Sequence, residues 1–195
     1  MNDSCAPVIL ASQSPRRIEL LKQIIGNFRV IPSEVDEVCL PNLSPEENAV
    51  SLGRQKADWV ADRHPGHWVI GADTLIVLDD EIIGKPTDAE DACQILRRLS
   101  GREHKVITGM AIIHSNTSSA ATVSRVRFKS LTETEIVSYV NSGEPMDKAG
   151  AYAIQGKGSS LIEGYDGSYS NIIGLPIEEL KDLLCKAGFP FNKGS

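Results

Sequence analysis

Trp68-Val69-Ile70-Gly71-Ala72-Asp73-Thr74-Leu75-Ile76-Val77-Leu78 reads as one long strand, apolar throughout except near its middle. The carboxylate of Asp73 is costly in such a strand unless a cation pairs with it or it binds a metal. The bland alternative is a strand-end acid capping a neighbouring loop. Gly71 and Ala72, just before it, leave room for a ligand.

Working outward, Ser44-Pro45-Glu46-Glu47 is a capping box that opens a helix running to about Arg63, where His64-Pro65-Gly66-His67 breaks it. Upstream, Val8–Ala11 is a short strand. Ser14 suits an N-cap with Pro15 at the first helical position, and Ile18, Leu21 and Ile25 give helical spacing before Gly26. Phe28–Ile31 reads as a second strand, followed by an acidic loop. Downstream of the long strand, Asp79-Asp80 turns into Glu81–Gly84, and Thr87-Asp88-Ala89-Glu90 is read as a capping box for a helix ending at Gly101. Lys105–His114 and Thr122–Phe128 suit paired strands across a polar Ser115–Ser119 loop. Thr132-Glu133-Thr134-Glu135 caps a shorter helix ending near Asn141, and Pro176 opens a last one through Leu180, Leu183 and Leu184. The stretch from Gly143 to Gly174 is rich in glycine, which predicts turns and close backbone approach to something bound. Strands and helices mix without strict alternation. The expected fold is α/β, a mixed twisted sheet flanked by helices.

The chain has 195 residues, of which 41% are hydrophobic and 24% charged, so a substantial core can form within one domain or two closely packed lobes. The net charge of −6 and the lack of a basic stripe argue against a nucleic-acid partner. Any anion must therefore be met by cations converging from separate segments. The four cysteines, Cys5, Cys39, Cys93 and Cys185, are far apart and form no CxxC pair, which points to reduced thiols rather than a zinc site. No apolar run approaches ~18 residues and no secretory leader is recognisable, so a cytoplasmic protein without a membrane span is expected.

Several polar residues sit where local physics disfavours them. Arg16 and Arg17 occupy the first turn of the first helix, where the macrodipole is already positive. A helix N-terminus with two guanidinium groups makes a phosphate cradle; the plain alternative is that both point into solvent or pair with acids. Lys56 shares the apolar helix face of Leu52 and Val60, as an inward lysine meeting a phosphate would, or one snorkelling along the core edge. Lys85, in Gly84-Lys85-Pro86, follows a strand but lies in no Walker A loop. Glu34, Asp36 and Glu37 offer carboxylates to a metal, although acidic loops are usually just solvated. His64 and His67 read as loop residues, and His104 and His114 as ordinary strand or loop histidines. No Ser/His/Asp or Cys/His constellation has supporting context, so covalent hydrolysis is disfavoured.

These positions bring a family into view. Ile9-Leu10-Ala11-Ser12-Gln13-Ser14-Pro15-Arg16-Arg17-Ile18-Glu19-Leu20-Leu21 closely resembles the opening signature of the Maf family of nucleotide pyrophosphatases. The likeness continues, in the family's order, through Ser33-Glu34-Val35-Asp36-Glu37, Gln55-Lys56-Ala57, Gly71-Ala72-Asp73-Thr74, Gly84-Lys85-Pro86 and Leu99-Ser100-Gly101-Arg102-Glu103-His104. It finishes with Glu144-Pro145-Met146-Asp147-Lys148-Ala149-Gly150-Ala151-Tyr152-Ala153-Ile154-Gln155-Gly156 and Asn171-Ile172-Ile173-Gly174-Leu175-Pro176.

The resemblance implies a single Maf-like domain over 1–195, of two lobes with a cleft between them, related to the ITPase-like folds and usually a homodimer. It implies an enzyme that cuts a nucleoside triphosphate between the α and β phosphates, house-cleaning the nucleotide pool with Mg²⁺ or Mn²⁺. Asp73 matches the family's proton acceptor, and Ser12, Arg16, Glu34, Lys56 and Lys85 match its other polar positions. Arg16, Thr74 and Gln155 look like the subgroup acting on dTTP and UTP, extending to modified pyrimidine nucleotides. Joined to the physical reading, this makes Asp73, Lys56, Lys85 and Arg16 catalytic. It gives Ser12, Arg16, Arg17, Thr74, Gln155, Asp147 and Lys148 to substrate binding, and Glu34 with Asp73 to the metal. The rival expectation is a nucleotide-binding regulator of septum formation with little turnover.

Overall fold

In the computed structural model, which describes residues 7–191, the stretch Trp68–Leu78 is a single uninterrupted strand, β3, buried along nearly its whole length. The other strands are β1 (Val8–Leu10), β2 (Arg29–Val30), β4 (Glu81–Ile83), β5 (Glu103–Ile113), β6 (Thr117–Phe128) and β7 (Ile162–Asp166). They form a seven-stranded sheet in the order β2-β1-β3-β5-β6-β7, with β4 paired to β3. The sheet is mixed: β1 runs parallel to β2 and β3, while β4 and β7 are antiparallel to their neighbours. The helices are α1 (Pro15–Leu21), α2 (Pro45–Ala61), α3 (Ala89–Leu99), α4 (Glu133–Val140), α5 (Tyr169–Ile173) and α6 (Ile177–Lys186). The expected α/β class is therefore observed. Among the described residues, no helix is long and apolar enough to cross a membrane.

The chain divides into two compact units. The first comprises the described residues up to Asp73, Thr108–Thr122, and those from Gly174 on. Its core gathers Ile9, Ala11, Ala57, Val60, Val69 and Ala111. The second comprises Thr74–Ile107 and Val123–Ile173. Its core is built on Leu78, Leu96, Leu99, Phe128, Ile136 and Tyr152.

Local sequence chemistry sets most boundaries. Ser44 and Glu47 close a reciprocal capping box at the start of α2, and Thr132 and Glu135 do the same for α4. Asp79 and Asp80 both take positive φ, 52° and 64°, as the two-residue loop of the β3–β4 hairpin requires, and Asp tolerates that backbone better than most residues.

Several boundaries differ from expectation. α1 stops at Leu21, because residues 22–24 turn rather than continue the helix. The α3 cap is shifted by one residue: Asp88 accepts from Asp91 N at 2.8 Å, and Asp91 accepts in turn from Thr87 N at 2.9 Å. β6 begins at Thr117, since the polar run taken for a loop forms the solvent-facing half of the strand, with the turn confined near His114–Asn116. Pro176 sits at the N-cap of α6 rather than inside it. Cys5 and Gly194-Ser195 lie outside the described residues. Among the described residues, Cys39, Cys93 and Cys185 are free thiols.

Candidate active site

Three glycines explain how one lysine reaches one aspartate in the first unit. Gly53 lies in α2, Gly71 in β3 and Gly109 in β5. A Cβ at Gly71 would strike Gly53 O and would lie 2.7 Å from Ala57 N; one at Gly53 would lie 2.7 Å from Gly109 O. One at Gly109 would strike the backbone of Ala49 and Val50. α2 is thus seated directly on the sheet backbone, which only glycine permits. This corrects the reading of Gly71 as room for a ligand, because α2 fills that space. The signal was present in the sequence as glycines inside a helix and two strands.

On this seam the inward face of α2 carries Lys56, whose Nζ donates to Asp73 Oδ1 at 2.5 Å, both side chains being 9% exposed. Nζ also pairs with Glu37 Oε1 at 2.7 Å, and Glu37 is half-exposed. One ammonium therefore gathers two carboxylates. Glu37 belongs to the irregular segment between β2 and α2, which Asn48 ties down from inside α2. The Asn48 side chain is 2% exposed; its Oδ1 accepts from Leu40 N at 2.7 Å and its Nδ2 donates to Leu40 O at 3.0 Å and Leu43 O at 3.1 Å.

The start of α1 supplies the other cations. Ser14 caps the helix through Arg17 N, and Ser12 Oγ accepts from Ser14 N at 3.2 Å. Arg17 folds back over this turn, with Nε donating to Gly174 O at 2.8 Å and Nη1 to Ser12 Oγ at 3.4 Å. Burial lowers the Arg17 pKa from its usual value, while Asp73 and Glu37 act in the opposite sense. Arg17, Asp73 and Glu37 thus share one electrostatic environment. Arg16 is half-buried on the same turn. Cys39 is close enough for burial, and then the charges of Asp73 and Glu37, to push its thiol pKa up. A thiol held neutral is a poor nucleophile.

Sequence spacing offers Glu34, Asp36 and Glu37 alike, and the family resemblance implies Glu34 for the metal. The acid on Lys56 is Glu37, and Glu34 is exposed on the same segment. Among the described residues, no group of three or more His, Cys, Asp or Glu side chains forms a self-contained metal cage. The oxygen donors of Asp73 and Glu37 nonetheless fit a hard divalent cation of the kind that takes one or two carboxylates and completes its shell with substrate phosphates and water.

In the second unit, Gly84 O accepts from Gly150 N at 2.9 Å, joining the Gly84-Lys85-Pro86 turn to the Lys148–Ala151 turn. Lys85 is exposed, Thr74 half-buried in β3, and Gln155 exposed in extended backbone (φ −96°, ψ 165°). Lys148 Nζ donates to Glu144 O at 2.7 Å and to Asp147 Oδ1 at 2.5 Å. His104 is buried on Tyr152, consistent with a core histidine.

Known proteins share much of this sequence. The family model described as Maf-like protein matches residues 7–187. A dTTP/UTP pyrophosphatase of Myxococcus xanthus (strain DK1622) is 48% identical over 190 residues, covering 97% of each chain. Another, of Geobacter metallireducens (strain ATCC 53774 / DSM 7210 / GS-15), is 47% identical over 90% of this chain and 94% of that one. A third, of Caldicellulosiruptor saccharolyticus (strain ATCC 43494 / DSM 8903 / Tp8T 6331), is 42% identical over 96% and 98%. A solved structure of a HAM1 protein from Coxiella burnetii is matched with a TM-score of 0.44 and 16% identity over 93% of this chain and 99% of that one. Likeness of that size leaves the assignment to the sequence relatives. With a family model spanning nearly all of its length and relatives above two-fifths identity, the chain belongs to the Maf-like protein family.

Proposed function

We propose that this chain is a hydrolase that converts dTTP and UTP to the nucleoside monophosphate and pyrophosphate, removing unwanted nucleotides from the pool. The reading is carried by end-to-end identity of 48% to a dTTP/UTP pyrophosphatase, together with a buried aspartate held by lysine. Hydrolysis needs water to attack the α-phosphorus as the bond to the α,β-bridging oxygen breaks. Asp73 accepts the proton of that water, and Lys56, bonded to Oδ1, orients the carboxylate for it. Arg16 and Arg17, with Ser12 beneath Arg17, meet the phosphate charge at the start of α1.

A divalent cation, Mg²⁺ or Mn²⁺, is part of the proposal. Asp73 and Glu37 would hold it, with Glu34 as the resemblance implies, and when bound it supplies positive charge at the phosphate oxygens. Lys85, Asp147 and Lys148 are proposed to serve the phosphates, and Thr74 and Gln155 the base, on the strength of family membership. The Gln155 carboxamide has one donor and one acceptor side, which suits the O4 and N3–H edge of uracil or thymine. Cytosine presents the opposite pattern, which the carboxamide matches only when turned over, so the choice of base depends on what fixes its orientation. A homodimer and a cytoplasmic setting belong to the same reading, and analytical ultracentrifugation measures the first.

The test is a hydrolysis screen over canonical and modified triphosphates with Mg²⁺ and Mn²⁺. Phosphate is assayed with and without added inorganic pyrophosphatase. Release from dTTP and UTP only with the second enzyme supports the reading, and direct release of orthophosphate, or no turnover of either nucleotide, refutes it.

A further inference from the structure

We infer that Glu144 is the positioning residue that fixes the loop bearing Gln155, and through it the enzyme's choice of base; this rests on the base-reading role proposed for Gln155. Gln155 stands immediately before a 3₁₀ turn, Gly156–Leu161, whose leading amides need acceptors. The Gln155 side chain makes no cap bond to that turn. Glu144 takes over instead, from a second 3₁₀ turn, Glu144–Asp147. Its Oε2 accepts from Lys157 N at 3.1 Å and its Oε1 from Gly158 N at 3.0 Å. The carboxamide of Gln155 is thereby spared for another partner.

The fit around this carboxylate is close. Gly156 has φ +69°, and a Cβ there would lie 2.9 Å from Glu144 Oε2. A Cβ at Gly158 would lie 2.8 Å from the Tyr139 hydroxyl, which itself donates to Glu144 Oε1 at 3.1 Å. Lys148 holds the Glu144 main chain by donating to its carbonyl. Burial opposes the charge on Glu144, but the Gly158 and Lys157 amides, the Tyr139 hydroxyl and Lys148 outweigh it and keep the carboxyl below its usual pKa. Glu144 is thus ionised at neutral pH, the form that accepts from all three donors. These contacts join the Glu144-Pro145 and Gln155-Gly156 ends of one long motif: the first caps the turn that follows the second.

The experiment compares wild type with Glu144→Ala, Glu144→Gln, Tyr139→Phe and Gln155→Ala, measuring kcat/KM for UTP and CTP. Hydrogen exchange of the peptide containing Lys157 and Gly158 is followed in parallel. Glu144→Ala is expected to compress the UTP to CTP ratio by about tenfold or more, since slight misplacement of a recognising group is costly. Glu144→Gln, which keeps an acceptor oxygen, should recover part of the ratio, and the 157–158 amides should exchange faster in the alanine variant. A merely structural Glu144 would lower both substrates equally and leave the ratio intact, which overturns the inference if Gln155→Ala does change it. A ratio indifferent to Gln155→Ala as well removes the base-reading role itself, and the inference with it. Should Glu144→Ala fail to fold, Tyr139→Phe decides the matter: it must move the ratio in the same direction, and faster exchange at an unchanged ratio sinks the proposal.

Discussion

Lys56 Nζ lies 2.5 Å from Asp73 Oδ1 in the interior of the first unit, and the same ammonium holds Glu37 at 2.7 Å. Because Lys56 keeps Glu37 when Asp73 is neutralised, Asp73→Asn leaves no stranded buried cation. It should fold with a near-native melting temperature and lose about 10²–10⁴-fold in turnover, the range for a positioned proton acceptor. Lys56→Met is the contrasting change, since it leaves Asp73 buried without its cation. That typically costs about 3–5 kcal/mol, or roughly 10 °C in a domain of this size. Calorimetry beside a dTTP assay separates the two variants. Wild-type turnover by the asparagine variant would remove Asp73 as the base.

The glycine seam makes a second prediction. Gly71→Ala drives a methyl into Gly53 O and Ala57, and Gly109→Ala drives one into Ala49 and Val50. Each should lower the denaturant midpoint by an amount equivalent to about 1–3 kcal/mol, the usual cost of overpacking. Activity should fall further than stability explains, because lifting α2 moves Lys56 off Asp73. Gly26→Ala is the control, since a Cβ there meets nothing within 4 Å. Equal effects of all three substitutions would show that the seam does not set the site.

These two cases mark how far the sequence can be read. The β3 strand, the capping boxes of α2 and α4 and the inward face bearing Lys56 are all local patterns, so neighbouring residues determine them. The choice of Glu37 among three nearby acids is not local, because it depends on how Asn48 gathers the preceding segment over α2. Arg16 and Arg17 both stand in the first turn of α1, and the one that folds over Ser12 does so with a carbonyl supplied from position 174, a partner distant in sequence. The outer half of β6 was hidden for another reason: its exposed Ser and Thr residues carry no apolar signal, although the backbone continues the strand.

Acid should weaken the second unit through His104. Its ring is 2% exposed, with Nε2 2.7 Å from the Tyr152 hydroxyl, while Nδ1 has no hydrogen-bond partner among the described residues. Burial lowers its pKa from 6.5 to about 4. The folded state therefore resists a proton that the unfolded chain accepts. The full contribution is present above the unfolded value of 6.5 and is lost as pH falls towards the folded value. The loss approaches about 3 kcal/mol by pH 4, at ~1.4 kcal/mol for each unit. His104→Gln can still bond to Tyr152 and does not titrate. Its urea midpoint should decline less than the wild type's between pH 6.5 and 4, and parallel declines would exclude His104 as the source.

Arg17 offers the sharpest test of the phosphate cradle. Its guanidinium uses Nε for Gly174 O and Nη1 for Ser12 Oγ, and it shares the electrostatic environment of Asp73 and Glu37. Lysine preserves the charge but has a single nitrogen and no planar fork, so it cannot hold both partners in one orientation. Arg17→Lys should therefore lower kcat for dTTP by about 10²-fold, as removal of one preorganised donor does, with a smaller change in KM. Ser12→Ala deletes only the hydroxyl beneath the fork and should lower kcat in the same sense by less. A charge-only role predicts instead that Arg17→Lys stays near wild type while Arg17→Met collapses. Steady-state kinetics on the three variants at one metal concentration distinguish a held fork from a mere positive charge.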